Sequence, residues 1–382
     1  DTIIEETDYG TIIRAPYFPS LSNRILLKYG ENKFRLLRRA MTAIDEIRQF
    51  IVPSGPKSTL YFAAKDYLKE NKVDAIIATG DPFILFYFAS KLSKEFRTPW
   101  IADYRDPWSV SKLRQINWFY HVWLKIIEKR IVSSSKVIMT VSDFLKESIQ
   151  TLFSDKTYYI FPNGYDPENI NKLINTSQKT QILTISFVGT IYPWHPWKSF
   201  ISAFSEFIES DKNIEMKLHF YGINITEDIE SFIHTLPDKT KFSIHIFPKM
   251  SNQSLLGRLS SENVMLLFND YTIMGTKIFD YIGVKRQIIL CYRNDKEALA
   301  LKKQCFTIEK MDETGKQLQT ELIQEIQAGI IVENKDELRT VLRDLYLEFQ
   351  HKSKIECHTH GIEIYSRKNQ VQKMAALIES MF

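Results

Sequence analysis

Cysteine is scarce in this 382-residue sequence, and long apolar runs are missing. The three cysteines, Cys291, Cys305 and Cys357, are few and odd in number, which argues against a disulfide-stapled secreted protein. A reducing, cytosolic setting fits better. No stretch of about 18 uninterrupted apolar residues occurs, since even the longest candidate, Phe83–Ser90, is far shorter. The sequence therefore predicts no membrane-spanning helix.

A strong excess of one charge is also lacking, because the net charge is only +4. This mild excess argues against dedicated DNA binding, and we expect no nucleic-acid partner. No Gly-x-Gly-x-x-Gly follows a predicted strand, which argues against a dehydrogenase. The sequence opens with Asp1 rather than with methionine or a signal peptide. We therefore expect a missing N-terminal segment.

What is present is an ordinary globular composition, 25% charged and 44% hydrophobic, on a chain long enough for two domains. Apolar strands alternate with helices, which predicts α/β units with parallel sheets. The predicted strands are 10–15, 73–78, 99–103, 137–141, 158–161, 183–188, 216–221, 243–247, 264–268, 287–291 and 329–332. The polar stretch 175–181 predicts a linker between domains 1–174 and 182–365, and helix 366–382 is expected to pack back on the first domain.

Polar residues and glycines recur directly after the predicted strands. They are Gly80-Asp81, Asp103–Asp106, Asn163-Gly164, Gly189-Thr190, Gly222, Pro248–Met250 and Gly275–Asp280. In open parallel sheets, ligands bind at the carboxyl ends of strands. The repeated coincidence indicates a ligand site at these ends.

The stretch Ile273–Cys291 combines several of these signals. Gly275 precedes a predicted short helix that starts at Lys277, and such a start suits an anion. Lys277 and Asp280 share one helix face, so they offer a cation for phosphate and a carboxylate for a sugar hydroxyl pair. The alternative is an ordinary amphipathic helix with a surface ion pair.

Two basic segments leave their roles open. Between Arg24 and Arg48, apolar residues recur at helical spacing, and three arginines cluster at positions 35, 38 and 39. This face suits an anionic lipid surface or an acidic substrate, or it is only solvated. The predicted helix Trp118–Val132 mixes aromatic and basic residues, which suits a membrane interface or packing on the sheet with a basic rim.

Six motifs occur in one order over nearly the whole chain. They are TGDPF (79–83), PWIADYRDPWS (99–109), VSDFL (141–145), FPNGYDP (161–167), FVGTIYP (187–193) and GTKIFDYIGVKRQII (275–289). This ordered set resembles the family 4 glycosyltransferases, which have the two-Rossmann GT-B architecture with parallel sheets facing a cleft. The closest resemblance is to the branch that builds bacterial capsular, exopolysaccharide or O-antigen chains.

The resemblance implies a retaining glycosyltransferase that moves a sugar from a nucleotide-diphosphate sugar to a glycan or lipid-linked acceptor. It implies no metal or cofactor and a front-face displacement, and it places the first strand of the first domain in the segment expected before Asp1. The cysteine content and the two basic segments lead us to expect a cytoplasmic location that allows peripheral contact with the inner face of the membrane. The implied site residues are catalytic Asp103, Arg105 and Asp106; acceptor-side Gly80 and Asp81; diphosphate-binding Gly189, Thr190, His195, Gly275, Thr276 and Lys277; ribose-binding Asp280; and base-binding Pro248, Lys249 and Met250.

Several of these positions have a second interpretation. Thr272 stands where the family usually has a glutamate, which supports the alternative of a non-catalytic glycosyltransferase-like binding protein. Arg105 and Asp106 also fit a structural ion pair, and His195 also fits a packed loop residue. Cys357-His358-x-His360 has metal-ligand spacing without a second pair of ligands, so we predict no zinc site.

Overall fold

The computed structural model describes residues 2–111, 118–172, 177–305 and 317–381. These residues form two compact units. The first consists of the described residues up to Phe161, and the second of those from Pro162 to Met381. Each unit contains its own parallel β-sheet, which confirms the predicted α/β class.

The first unit begins with an antiparallel hairpin of β1 (Ile3–Thr7) and β2 (Gly10–Arg14). Its helices are α1 (Leu21–Tyr29), α2 (Arg35–Gln49), α3 (Ser58–Glu70), α4 (Ile84–Phe96), α5 (Trp118–Val132) and α6 (Asp143–Gln150). Strands β3 (Ile76–Gly80), β4 (Trp100–Tyr104), β5 (Val137–Thr140) and β6 (Tyr158–Ile160) pair in chain order, all parallel. The strand predicted at 10–15 is β2, but it lies in the hairpin rather than in the parallel sheet.

An aromatic core supports the carboxyl end of β4. Phe86, Trp100 and Tyr104 are fully buried, and the ring centroids of Phe86 and Tyr104 lie 4.8 Å apart. The Tyr104 hydroxyl donates to the buried carboxylate of Glu128 at 2.7 Å, and the Ser109 amide donates to its second oxygen at 3.0 Å. Tyr104 therefore belongs to the strand, whereas the sequence predicted it in the following loop. Glu128 of α5 fixes the path of that loop.

The second unit contains six parallel strands among its described residues. They are β7 (Leu183–Val188), β8 (Met216–Tyr221), β9 (Ile244–Phe247), β10 (Val264–Phe268), β11 (Gln287–Cys291) and β12 (Gly329–Val332). The helices are α7 (Pro167–Asn171), α8 (Trp197–Glu209), α9 (Thr226–Ile233), α10 (Asp238–Ser243), α11 (Asn252–Leu259), α12 (Lys277–Gly283), α13 (Lys296–Cys305), α14 (Leu318–Glu325), α15 (Lys335–Lys352) and α16 (Arg367–Met381). A 3₁₀ turn, Ile362–Tyr365, precedes α16.

The six strands lie in the order β9-β8-β7-β10-β11-β12. Successive residues of β10 alternate between two buried clusters, with Leu266 in one and Leu267 in the other, because side chains on a strand point to opposite faces. The sheet is therefore covered on both faces. This is the strand order of nucleotide-binding Rossmann folds, and it reverses between β7 and β10. Ligands of such sheets bind at that reversal point.

The division between the units falls earlier than the predicted linker. The Tyr165 amide donates to Tyr365 at 3.1 Å, and the Arg367 amide donates back to Tyr165 at 2.9 Å. Residues 162–172 therefore pack with the second unit, to which α16 also belongs, although the sequence predicted both with the first domain. Residues 175 and 176 of the predicted linker and residue 382 of the predicted last helix lie outside the described residues. Gln178, also in that stretch, donates to Ile355 at 2.6 Å.

Candidate functional site

The reversal point of the second sheet is occupied by the residues that follow β7 and β10. Gly189 directly follows β7 with a φ of 94°, a conformation that glycine adopts readily. Its amide donates to Tyr221 of β8 at 2.9 Å. A Cβ built on Gly189 would lie 3.5 Å from Cε of Lys277, so the backbone after β7 and this side chain are neighbours. The structure thus brings together two residues that the sequence assigned to the diphosphate.

Helix α12 presents Lys277 and Asp280 on one face, as the sequence predicts. Lys277 Nζ lies 3.5 Å from Asp280 Oδ2, with side-chain exposures of 39% and 14%. Burial raises the pKa of the Asp280 carboxyl, and the positive charges of Lys277 and Arg367 oppose that rise. Ile278 and Phe279 are buried against the sheet, which fixes the direction of the polar face. The pair therefore joins an accessible cation to a largely buried carboxylate.

Helix α12 is only 7 residues long, so its end contributes little dipole. Gly275 and Thr276 precede it, and Thr276 is exposed, as is Thr190 beyond Gly189. Because the helix is short, positive charge at this corner comes chiefly from the ammonium of Lys277.

His195 is a packed loop residue, the second of the two interpretations that the sequence allowed, rather than an open ligand for the diphosphate. The Tyr192 amide donates to Nδ1 at 3.2 Å, so Nε2 carries the ring proton and donates to Asp270 Oδ1 at 2.8 Å. The side chain is only 3% exposed. Both ring nitrogens are therefore engaged, and neither is left for a diphosphate. His195 instead holds the loop that follows Gly189.

Asp270 is a residue of this site that the sequence analysis missed. It follows β10, and its carboxylate accepts from Trp194 at 3.0 Å and from Gln319 at 3.3 Å, in addition to His195. Its backbone amide donates to Oε1 of Gln319 at 2.9 Å, so Gln319 pairs with both groups of Asp270. One buried carboxylate thus ties the loop after β7 to the loop after β10. The signal available in the sequence was an acidic residue two positions after the predicted strand 264–268.

The predicted base-binding loop lies beside the neighbouring strand end. Pro248 and Lys249 are exposed after β9, and Met250 packs partly against the core. Gly222, which follows β8, has a φ of 59°, and a Cβ there would lie 3.3 Å from Lys249 Cα. The close approach requires a small residue at Gly222. The ends of β7, β8 and β9 therefore carry the predicted residues along one edge of the sheet.

In the first unit, polar groups meet at the carboxyl ends of β3 and β4. Asp103 Oδ2 accepts from Thr79 at 2.9 Å and from Arg105 Nε at 2.9 Å. The Arg105 amide donates to Gly80, which lies in β3 rather than in the predicted loop. Asp103 Oδ1 is buried and has no hydrogen-bond partner among the described residues. The ion pair of Arg105 is with Asp103, whereas the sequence suggested Asp106.

Asp106 interacts electrostatically with Asp81. Partial burial, and then the negative charge of Asp81, raise the pKa of the Asp106 carboxyl. The structure thus brings Gly80, Asp103 and Arg105 into direct contact and couples Asp81 to Asp106. Whether these groups act on an acceptor stays a prediction.

Two kinds of feature are absent from the described residues. In residues 2–111, 118–172, 177–305 and 317–381, no group of three or more His, Cys, Asp or Glu side chains is placed to hold a metal ion. Within the same ranges, none of the helices combines the length and apolarity that crossing a membrane requires.

Comparison with known proteins adds independent information. Residues 19–169 match the sequence model of Glycosyltransferase Family 4. No curated protein matches the chain. Many solved structures share its fold. The three described next are at identities too low to show more than the fold.

Sucrose-phosphate synthase (tll1590) from Thermosynechococcus elongatus is 13% identical with a TM-score of 0.63, covering 100% of this chain and 86% of its own. A glycosyltransferase from Rickettsia africae ESF-5 is 12% identical with a TM-score of 0.57, at 84% and 80% coverage. Alr3699/HepE from Anabaena, in complex with UDP-glucose, is 11% identical with a TM-score of 0.54, at 84% and 82% coverage. Residues 19–169 thus resemble glycosyltransferase family 4, and the chain shares the two-sheet α/β fold, called GT-B, of these solved structures.

Proposed function

We propose that this glycosyltransferase moves a sugar from a nucleotide-diphosphate sugar to a glycan or lipid-linked acceptor, with retention of anomeric configuration. The observation that carries the proposal is the meeting of Gly189, Lys277 and Asp280 beside the reversal point of the Rossmann-type sheet. The UDP-glucose complex of the Anabaena protein with the same fold supports this class of donor. Resemblance of the ordered motifs to the capsular and O-antigen branch supports a role in bacterial surface polysaccharide synthesis.

The donor diphosphate lies, in this proposal, against the bare backbone of Gly189 and Gly275, with Thr190 and Thr276 beside it. The ammonium of Lys277 opposes its negative charge. Asp280 accepts hydrogen bonds from the ribose hydroxyls, and the loop of Pro248, Lys249 and Met250 packs against the base.

The reaction breaks the bond between the anomeric carbon and the diphosphate oxygen. An acceptor hydroxyl oxygen forms the new bond on the same face of the sugar, and its proton passes to the departing diphosphate. Lys277 stabilises the charge that develops on the leaving group, which lowers the barrier. Asp103, Arg105 and Asp106 are proposed to orient the acceptor hydroxyl, because Asp103 Oδ1 is a buried acceptor atom without a partner among the described residues. Gly80 and Asp81 are proposed to line the acceptor side.

A thermal-shift screen of UDP, GDP and ADP tests the donor site. A nucleotide at about 100 times its Kd stabilises the folded state by about 2.7 kcal/mol, which corresponds to a rise in Tm of about 5 °C or more. We expect one of the three to act in this way on the wild type and to act less on Lys277→Ala. Lys212→Ala, an exposed lysine of the same unit, is the matched control. Absence of any shift would contradict the donor site and favour a non-catalytic binding role.

A further inference from the structure

Helix α2 carries an apolar face that the described residues of its unit leave largely uncovered. None of its 15 residues is buried. Leu36 is 81% exposed and Ile44 62%, and Leu37 and Ile47 are 53% and 48% exposed. At the rotation of an α-helix these four side chains fall within a stripe roughly 100° wide. We call these four residues the α2 stripe. Such a stripe normally faces a core, but here it faces outward.

Positive charge surrounds the α2 stripe. Residues 21–52 hold seven basic and three acidic side chains, so their net charge of +4 equals that of the whole chain. Arg39 and Arg48 flank the two edges of the stripe on the helical wheel. The charge excess of the protein is therefore concentrated at one surface.

A groove between α1 and α2 collects three of these arginines. It has a volume of about 570 Å³, and its charged lining consists of Arg35, Arg38 and Arg39 with two acidic residues, Glu31 and Glu46. The Arg38 guanidinium donates to the carbonyls of residues 31 and 33. In the part of the chain that the structure describes, Arg35 and Arg39 form no salt bridge. The groove therefore offers guanidinium groups to an external anion.

The start of α5 extends the same surface. The Tyr120 hydroxyl donates to Glu46 of α2, which places the two helices side by side. Trp118, two residues earlier, is 67% exposed. Tryptophan at the edge of an apolar, basic surface is typical of proteins that contact the interface of a bilayer. The sequence favoured packing for this helix, and the structure gives that role to Trp123 but not to Trp118.

We propose that α2, with the start of α5, docks on a lipid bilayer that contains anionic lipids. The α2 stripe enters the boundary of the acyl chains, and the arginine groove receives headgroup phosphates. A soluble polyanion would satisfy the arginines but leave Leu36 and Ile44 in water. A second copy would cover the stripe but oppose two surfaces of net charge +4. An anionic bilayer satisfies both features. The surface belongs to the first unit and does not depend on the proposed donor site.

Vesicle co-sedimentation of the full chain tests this docking. We expect binding to phosphatidylcholine vesicles that contain about 30% phosphatidylglycerol, and much weaker binding to phosphatidylcholine alone. High salt should weaken the binding because it screens the charge attraction. Equal binding to both vesicle types, or none to either, would overturn the proposal.

Matched variants separate the bilayer from other occupants. Leu36→Glu with Ile44→Glu should lower vesicle binding at least about tenfold, whereas Phe242→Glu, at an 81% exposed position of α10, should not. Arg35→Glu and Arg39→Glu should each lower it about fivefold or more. The UDP, GDP and ADP thermal shifts should stay unchanged in all variants, so failure here is distinct from failure of the donor site. A dimer in sedimentation equilibrium that the Leu36→Glu, Ile44→Glu variant dissociates would overturn the proposal, as would competition by millimolar inorganic phosphate that abolishes binding.

Discussion

Replacing His195 by alanine separates a structural histidine from a ligand histidine. The imidazole is buried, accepts from the Tyr192 amide and donates to the Asp270 carboxylate. Its removal leaves a cavity beside Phe268, whose ring centroid lies 5.3 Å from that of His195. It also removes one hydrogen-bond donor from the buried carboxylate of Asp270. We expect a loss of about 3 kcal/mol in the free energy of unfolding.

Asp270→Asn is the milder companion variant. Its carboxamide oxygen still accepts from His195 and Trp194, but these two charge-assisted hydrogen bonds become neutral ones. The long 3.3 Å bond from Gln319 to Oδ2 is lost, because the carboxamide nitrogen cannot accept it. The expected loss is about 1–2 kcal/mol. In a unit of this size each kcal/mol lowers Tm by about 2–4 °C, so His195→Ala should melt about 6–12 °C lower and Asp270→Asn about 2–8 °C lower.

Differential scanning calorimetry measures these shifts, and isothermal titration of the stabilising nucleotide measures the affinity. His234→Ala, at an exposed position of α9's end, is the control and should melt as the wild type does. A His195→Ala protein that keeps its Tm but loses nucleotide affinity would refute the reasoning. In that case the ring contacts the diphosphate directly, as the family resemblance implied.

Three further predictions follow from named contacts. Lys277→Ala should lower nucleotide affinity about tenfold in titration calorimetry, since it removes a charge-assisted contact, while Tm changes little. Because burial raises the pKa of Asp280, protonation favours the folded state, and this contribution to stability is lost as pH rises through the raised pKa. Asp280→Asn should therefore raise Tm at neutral pH yet weaken nucleotide binding, and a lower Tm would contradict this. Gly80→Ala should cost about 1–3 kcal/mol in urea unfolding, because its Cβ would lie 2.5 Å from the Phe83 ring, and an unchanged midpoint would contradict the packing.

Local patterns predicted much of the second unit. The sequence placed Lys277 and Asp280 on one face of a short helix, and α12 confirms this, because the apolar Ile278 and Phe279 fix the rotation of the helix. Glycine after β7 was also predictive, since the backbone there adopts a conformation that other residues rarely take.

The roles of Asp270 and His195 and the boundary between the units could not be predicted from the sequence, because they depend on contacts between distant parts of the chain. Asp270 accepts from Trp194 and His195, which lie 76 and 75 positions earlier, and no local pattern reports such a partner. The role of His195 depends on how the loop folds back to bring the Tyr192 amide to Nδ1. The boundary between the units was misplaced for the same reason, because Tyr165 pairs with residues near the far end of the chain.

The pairing of Tyr165 with Tyr365 and Arg367 joins the beginning of the second unit to the start of its last helix. The chain enters it at Tyr165 and passes Tyr365 and Arg367 beside the point of entry, joined by two backbone hydrogen bonds. A fragment that spans residues 162–381 should therefore fold autonomously, with its first residues bound to the start of α16. Such a piece would allow the proposed donor site to be studied apart from the first unit.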